Sequence, residues 1–210
     1  MPYKTGRYIG MNQIITIGRE FGSGGRELGR RLAKELGIEY YDKEILTEIA
    51  KHTSLSEEYV QQVVERQPHQ LYPITVGHSF MYTDTQTYSQ ANTVFQAQQE
   101  IIREMAARSS CVIVGRCADY ILKEQHPFRI FVYADMESRI ARTRSREENA
   151  EKLTDKEYRK QIESMDKARA KYYAFYTDMK WGDKLNYDLC VNTTNLDIPS
   201  VVQVLAKLFK

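Results

Sequence analysis

Cysteine is scarce in this chain: three residues in 210, at positions 111, 117 and 190, with no CxxC pair. An odd count without that spacing excludes a disulfide framework and a cysteine-based zinc site, and fits reduced thiols in a cytoplasmic protein. Cys111 and Cys190 lie inside apolar runs, where a thiol serves as a small core residue. The four histidines, at 52, 69, 78 and 126, are scattered without metal-ligand spacing and carry no assigned role. Long hydrophobic runs are absent too, none approaching the roughly 18 residues needed to cross a bilayer. The first ten residues lack the apolar centre of a secretory signal and read as a short flexible leader before a pattern that begins at Met11. Charge of one sign is also missing. Thirty basic residues against 28 acidic ones leave +2, with no basic footprint for nucleic acid. Neither a membrane nor a nucleic acid is an expected partner.

What the chain does contain is alternation of apolar runs with helical patterns. Residues 14–17, 38–41, 111–114, 128–134 and 189–191 read as strands. Between them, 26–36, 43–51, 56–66, about 92–108, 136–147, 155–176 and 198–209 read as helices. Asn195 or Asp197 is placed to cap the last, with Pro199 in its first turn. Continuous apolar strands joined by helices predict an α/β fold with a five-stranded, doubly wound parallel sheet. The ligand edge of such a sheet lies at the strand C-termini. One domain is expected over 11–210.

The segment IITIGREFGSGGRELGRRLAKELG, residues 14–37, is the most informative. A β-branched run stops at Gly18, a loop carries Gly22, Gly24 and Gly25, and Leu28, Leu32 and Leu36 then share a helical stripe. Strand, glycine-rich turn and helix together either set backbone N–H groups and a helix N-terminus against a phosphate or form a plain strand-to-helix turn with no ligand. The usual pattern, G-x-x-x-x-G-K-[ST], supplies a lysine for the β- and γ-phosphates and a hydroxyl for magnesium. Here Arg19 stands at the first glycine, Gly25 at the lysine, and Arg26 and Glu27 follow. Arg26 is the nearest cation to the missing lysine and is the expected substitute. Glu27 reads either as a Mg²⁺ ligand in place of the hydroxyl or as an acid favouring the helix dipole.

Residues 67–93 break the pattern: polar, aromatic, with two prolines and no period. Their length suggests either an exposed loop or a lid that orders over a ligand.

Two further sets of arginines follow strands. Arg116, directly after the buried run VIVG, projects either into the crevice as a phosphate clamp or onto the surface beside an acid. Arg139, Arg142, Arg144 and Arg146 lie in DMESRIARTRSREEN, and 139, 142 and 146 share a helical face. They serve either as a lid over phosphates or as a solvated face paired with Glu147, Glu148 and Glu151. In MDKARAKYYAFY, Arg169 is in reach of a phosphate, while Tyr172, Phe175 and Tyr176 have core spacing.

Taken in order, GREFGSGGRELGRRLA at 18–33, EYYDKEIL at 39–46, VIVGR at 112–116, FVYADMESRIARTR at 131–144, the helix at 166–173 and YDLCVNT at 187–193 resemble the cytidylate kinase-like branch of the P-loop nucleoside monophosphate kinases. The resemblance implies a three-layer P-loop fold with a helical acceptor-binding insertion at 52–108 and a lid region at 136–165. It implies ATP as donor, with Mg²⁺. Arg19, Gly22, Ser23, Gly24, Gly25, Arg26 and Glu27 would lie on the triphosphate, and Asn192, Thr193 and Thr194 beside the donor base. Asp42, Arg116, Arg144 and Arg169 would meet the acceptor, and Arg26, Arg116, Arg139 and Arg142 would stabilise the phosphoryl group in flight. Departures stand beside these matches. Lys43 and Glu48 replace the serine and arginine usual near the strand-two aspartate, and Val114 stands where related kinases often carry an acid. The implied activity is ATP-dependent phosphorylation of a nucleoside monophosphate, CMP or dCMP first. A kinase with another small acceptor, or a nucleotide-binding regulator without turnover, are the alternatives.

Overall fold

Six residues, IITIGR, form the central strand β1 (Ile14–Arg19). The computed structural model describes residues 12–65, 85–146 and 153–210, with the side chains of 65 and 85–90 left aside. The leader at 1–10, residues 67–84 of the polar segment and 147–152 of the lid region lie outside the described residues.

Strands β2 (Glu39–Tyr41), β3 (Cys111–Val114), β4 (Phe128–Tyr133) and β5 (Leu189–Asn192) complete a sheet of order β2-β3-β1-β4-β5. Every neighbouring pair is parallel, with Ile14 opposite Cys111 and Ile17 opposite both Val114 and Ile130. Alternation along β1 sends its side chains to two separate cores. Ile15 and Ile17 pack with helices α1 (Gly25–Leu36) and α8 (Ile198–Ala206). Ile14 packs on the opposite face. That face is covered by α2 (Glu44–Thr53), α3 (Glu57–Glu65), α4 (Thr85–Arg108), α5 (Ala118–Ile121) and the C-terminal half of α7 (Asp155–Thr177). The continuous apolar runs in the sequence are thus the signature of strands buried on both sides. A small third cluster joins α6 (Met136–Arg144) to α7 through Ile140, Tyr158 and Ile162, with Phe21 against it.

Helix α1 lies close on the sheet because Gly29 has no side chain. A Cβ there would sit 2.9 Å from Val114 Cγ2 and 3.0 Å from Ile17 Cδ1. Of the two residues proposed to cap α8, Asp197 is the cap, its carboxylate accepting from Ser200 N–H. The main departure from the sequence reading is α4, which starts at Thr85 rather than near residue 92. Part of the segment at 67–93 is therefore helix. Buried Ala91 continues the stripe of Val94, Ala97 and Ile101 one turn earlier, in a stretch whose Thr, Ser and Gln residues obscure the period. Among the described residues no helix is long and apolar enough to cross a membrane.

The connection after β1 leads to α1 on one face, and that after β3 leads to α5 on the other. The two loops part at the carboxyl edge between neighbouring strands, the place where ligands bind in open α/β sheets.

Candidate functional site: a glycine loop and an arginine cleft

Beyond β1 the chain is pinned by Glu20 N–H donating to Val132 O at 3.0 Å. It then turns through Gly22 (φ 77) and Gly24 (φ 85), both in the left-handed region that favours glycine. Neither position has room for a side chain: a Cβ would lie 2.7 Å from Arg139 O at Gly22 and 2.8 Å from Ile198 Cδ1 at Gly24. Leu28 N–H donates to Gly24 O at 2.9 Å, and no side chain caps the helix. The first-turn N–H groups of α1 therefore have no partner within the helix and form the positive end of its dipole. Ser23 is buried, its hydroxyl donating to Glu20 O at 2.8 Å. Thr193 is also buried and donates to Ser23 O at 2.6 Å, so it braces the loop from beyond β5. Asn192 is exposed, and its Oδ1 accepts from Thr194 N–H at 3.0 Å.

Arg19 leaves the end of β1 between two glycines. A Cβ on Gly25 would lie 2.5 Å from Arg19 Cβ, and one on Gly115 would lie 1.7 Å from Arg19 Nη1. Strand β3 ends in a turn where Gly115 (φ 74), Arg116 (φ 60) and Cys117 (φ 53) are all left-handed. Gly115 N–H donates to Ile17 O at 2.9 Å, and Gln98 Nε2 donates to Arg116 O at 2.9 Å. Arg169 donates to Arg19 O at 3.4 Å, lies 3.8 Å from Asp166, and stands 5.5 Å over the Phe21 ring. Together Arg19, Arg116 and Arg169 line a cleft with Asp119, Tyr173 and Trp181. Burial and the charges of Arg169 and Arg116 push the Arg19 guanidinium well below its ordinary pKa, with Asp42 opposing. Burial raises the Asp119 carboxyl, which accepts from Tyr173 OH at 2.6 Å.

Arg26, the expected lysine substitute, points elsewhere. Its Nε pairs with Asp42 Oδ2 at 2.5 Å, the arginine 49% exposed and the aspartate 5%. The end of β2 and the start of α1 are thereby joined.

The arginines of α6 are engaged in other ways. Arg139 is buried, its Nε donating to Phe21 O at 2.7 Å, and it pairs with Glu20 at 3.2 Å and with Asp166. Asp166 also accepts from Phe21 N–H at 2.8 Å. Burial raises the carboxyls of both Glu20 and Asp166. Arg142 donates to Thr193 O and, at 3.4 Å, to Leu196 O. Arg144 turns to α7, pairing with Asp155 and lying 5.2 Å over the Tyr158 ring. Glu27 is held by Arg31 at 2.8 Å and Arg146 at 3.0 Å. Against partial burial, these two arginines keep its carboxyl below the usual range. Among the described residues no three His, Cys, Asp or Glu side chains cluster as metal ligands.

Of the residues singled out in the sequence, the fold therefore brings Arg19, Arg26, Asp42, Arg116, Arg169 and the loop glycines to one edge. Arg142 and Thr193 flank the loop, Arg139 lies beneath it, and Arg144 faces away toward α7. Glu20, Asp119 and Asp166 carry no assigned role in the sequence reading. Position offers a signal for two of them, Glu20 directly after β1 and Asp119 three residues beyond Arg116.

A model of the cytidylate kinase-like family matches residues 14–195. No curated protein is significantly similar in sequence. Among solved structures, an uncharacterized protein from Eubacterium ventriosum is 28% identical with TM-score 0.68, covering 94% of this chain and 98% of its own. Shikimate kinase from Acinetobacter baumannii, in complex with shikimate, is 15% identical with TM-score 0.52, covering 95% and 93%. Shikimate kinase from Bacteroides thetaiotaomicron is 15% identical with TM-score 0.53, covering 94% and 98%. The fold is that of the P-loop kinases.

Proposed function

The chain belongs to the cytidylate kinase-like family, and from that premise we propose that it transfers the γ-phosphoryl group of ATP to a nucleoside monophosphate, with CMP or dCMP as the first candidates. The observation that carries this reading is the cleft of Arg19, Arg116 and Arg169, joined to the glycine loop where the Arg19 stem packs on Gly25. Three guanidiniums crowded together favour a multiply charged anion, and a monophosphate brings two charges to be held next to the triphosphate. An oxygen of the acceptor phosphate forms a bond to the γ-phosphorus as the bond to the β–γ bridging oxygen breaks. The electron pair leaves with the β-phosphate, giving ADP and a nucleoside diphosphate. No general base is required, and catalysis is positioning plus charge neutralisation.

The triphosphate fits the loop: left-handed Gly22 and Gly24 shape it, and the first turn of α1 offers its N–H groups. A divalent ion such as Mg²⁺ supplies charge neutralisation when bound with ATP. Glu27 does not fit as its ligand while Arg31 and Arg146 hold the carboxylate, and no protein ligand is assigned to it.

A second reading has one observation in its favour. Asp119 shares the cleft with Arg116, and a hydroxyl acceptor, unlike a phosphate, needs a carboxylate to take its proton. Shikimate, bound by a solved kinase of the same fold, is an acceptor of that chemistry. Coupled ADP-release assays over nucleoside monophosphates and hydroxylated carboxylates, with and without Mg²⁺, decide between them. Turnover with a monophosphate supports the first reading and turnover only with a hydroxy acid the second. ATP binding without any turnover makes the protein a nucleotide-binding regulator.

A further inference from the structure

The kinase reading, on which this inference rests, leaves open which cation meets the terminal phosphates of the donor. In the ordinary loop the first fixed position is a glycine and the lysine follows the last one. In this chain the side chain and its absence have changed places: Arg19 stands at the first position and Gly25 at the lysine.

The structure shows that the two positions share one volume. A Cβ on Gly25 would lie 2.5 Å from Arg19 Cβ, 3.1 Å from Arg19 Cγ and 3.2 Å from Val132 Cβ. These are stem atoms fixed to the central strands, which cannot swing aside as the end of a long side chain can. A side chain at 25 and one at 19 therefore exclude each other. On the far side, Gly115 makes room for the guanidinium, since a Cβ there would lie 1.7 Å from Nη1. Arg26, one residue further along α1, is turned about 100° around the helix from Gly25 and is committed to Asp42.

We infer that Arg19 is the phosphate-binding cation of this loop, delivered from the end of β1 through the space vacated at position 25, and that the glycines at 25 and 115 are the fittings that admit it. Its planar fork suits two oxygens of one phosphate. Lying between the glycine loop and Arg116, it takes the side of the terminal phosphate that faces the acceptor.

The test measures binding of ATP, and separately of inorganic triphosphate, by titration calorimetry with no acceptor present. Wild type is compared with Arg19→Ala, Gly25→Lys, the double exchange Arg19→Gly/Gly25→Lys, and Arg26→Ala, each checked for folding by circular dichroism. Arg19→Ala and Gly25→Lys are each expected to weaken binding at least about tenfold, the scale of one charge-assisted contact. The double exchange restores most of that loss, and Arg26→Ala costs less than Arg19→Ala. A folded double variant that binds no better than Arg19→Ala overturns the inference, as does a greater loss from Arg26→Ala. Should the double variant fail to fold, Arg19→Lys replaces it: binding no tighter than in Arg19→Ala then overturns the assignment. Wild-type protein that binds neither probe overturns both this inference and the kinase reading. ATP binding lost through Arg19 in a protein that phosphorylates no acceptor would sustain the inference while the kinase reading fell.

Discussion

Two groups of arginines lie on either side of the glycine loop and are used in different ways. On the cleft side, Arg19, Arg116 and Arg169 crowd one another, and that crowding with burial lowers the pKa of Arg19. On the α6 side, Arg139, Arg142, Arg144 and Arg146 each meet a carboxylate or a carbonyl: Glu20 and Asp166, Thr193, Asp155, and Glu27 in turn. The sequence spacing of the α6 group looks more like a phosphate clamp than that of the cleft group does. The difference teaches that regular spacing on a helix does not by itself make a ligand site: the α6 arginines are spent bracing the loop and α7, whereas the cleft arginines, Arg169 with its Asp166 partner included, converge on one cavity. Like charges gathered at one cavity favour an anion there.

The comparison breaks first, if it is wrong, at Arg139. Arg139→Met leaves half-buried Glu20 without the cation that faces it and Asp166 with Arg169 alone, and is expected to cost about 3–5 kcal/mol of stability. Thermal or urea unfolding measures it, and a loss below about 1 kcal/mol would move Arg139 out of the structural group. Arg116→Ala makes the opposite prediction: a normal melting temperature, with kcat/KM for the acceptor down about a hundredfold, near 2.7 kcal/mol, and ATP affinity less affected. Equal damage to both substrates would mean that Arg116 bridges them. Gly115→Ala strains a left-handed backbone and displaces Arg19, so stability is expected to fall by about 1–2 kcal/mol, with triphosphate binding weakened alongside. Arg144→Ala should shift stability by less than about 1 kcal/mol, and a larger kinetic defect than that of Arg116→Ala would bring α6 back to the phosphates.

The smallest effect is one of pH. Glu20 and Asp166 carboxyls are raised by burial in the folded protein, so above the ordinary carboxyl range the folded state still holds protons that the unfolded chain has released. The unfolded state then binds fewer protons, and stability falls as pH rises through that interval, levelling once the folded values are passed. Replacing either carboxylate with its amide flattens the slope, and an unchanged profile would refute the assignment.

Much of the fold was readable because buried parallel strands write themselves as unbroken apolar or β-branched runs, as CVIV and IITI do, and because Gly22 to Gly25 punctuate the first connection. The start of α4 was hidden by a polar stretch in which Ala91 is the buried residue among those whose side chains are described. The site was half readable for a different reason. Proximity along the chain pointed to Arg26 as the cation nearest the lost lysine, but one step along a helix turns a side chain toward another neighbour, here Asp42. Arg19, six residues before Gly25, reaches the same volume through space, across the strand-to-helix turn. In the same way, the spacing of 139, 142 and 146 speaks only of a helical face, while the carboxylates that neutralise Arg139 come from Glu20 and Asp166, far apart in sequence and invisible to a local pattern.

The shared volume of positions 19 and 25 also bears on how this loop can change over generations. Converting it to the ordinary form takes two substitutions, and neither order is smooth. Glycine at 19 first removes the guanidinium before any lysine has arrived, while lysine at 25 first is forced into the stem of Arg19, 2.5 Å from its Cβ. If Arg19 is the phosphate-binding cation, each single step loses either the guanidinium or the packing at position 25, so sterics oppose a stepwise exchange.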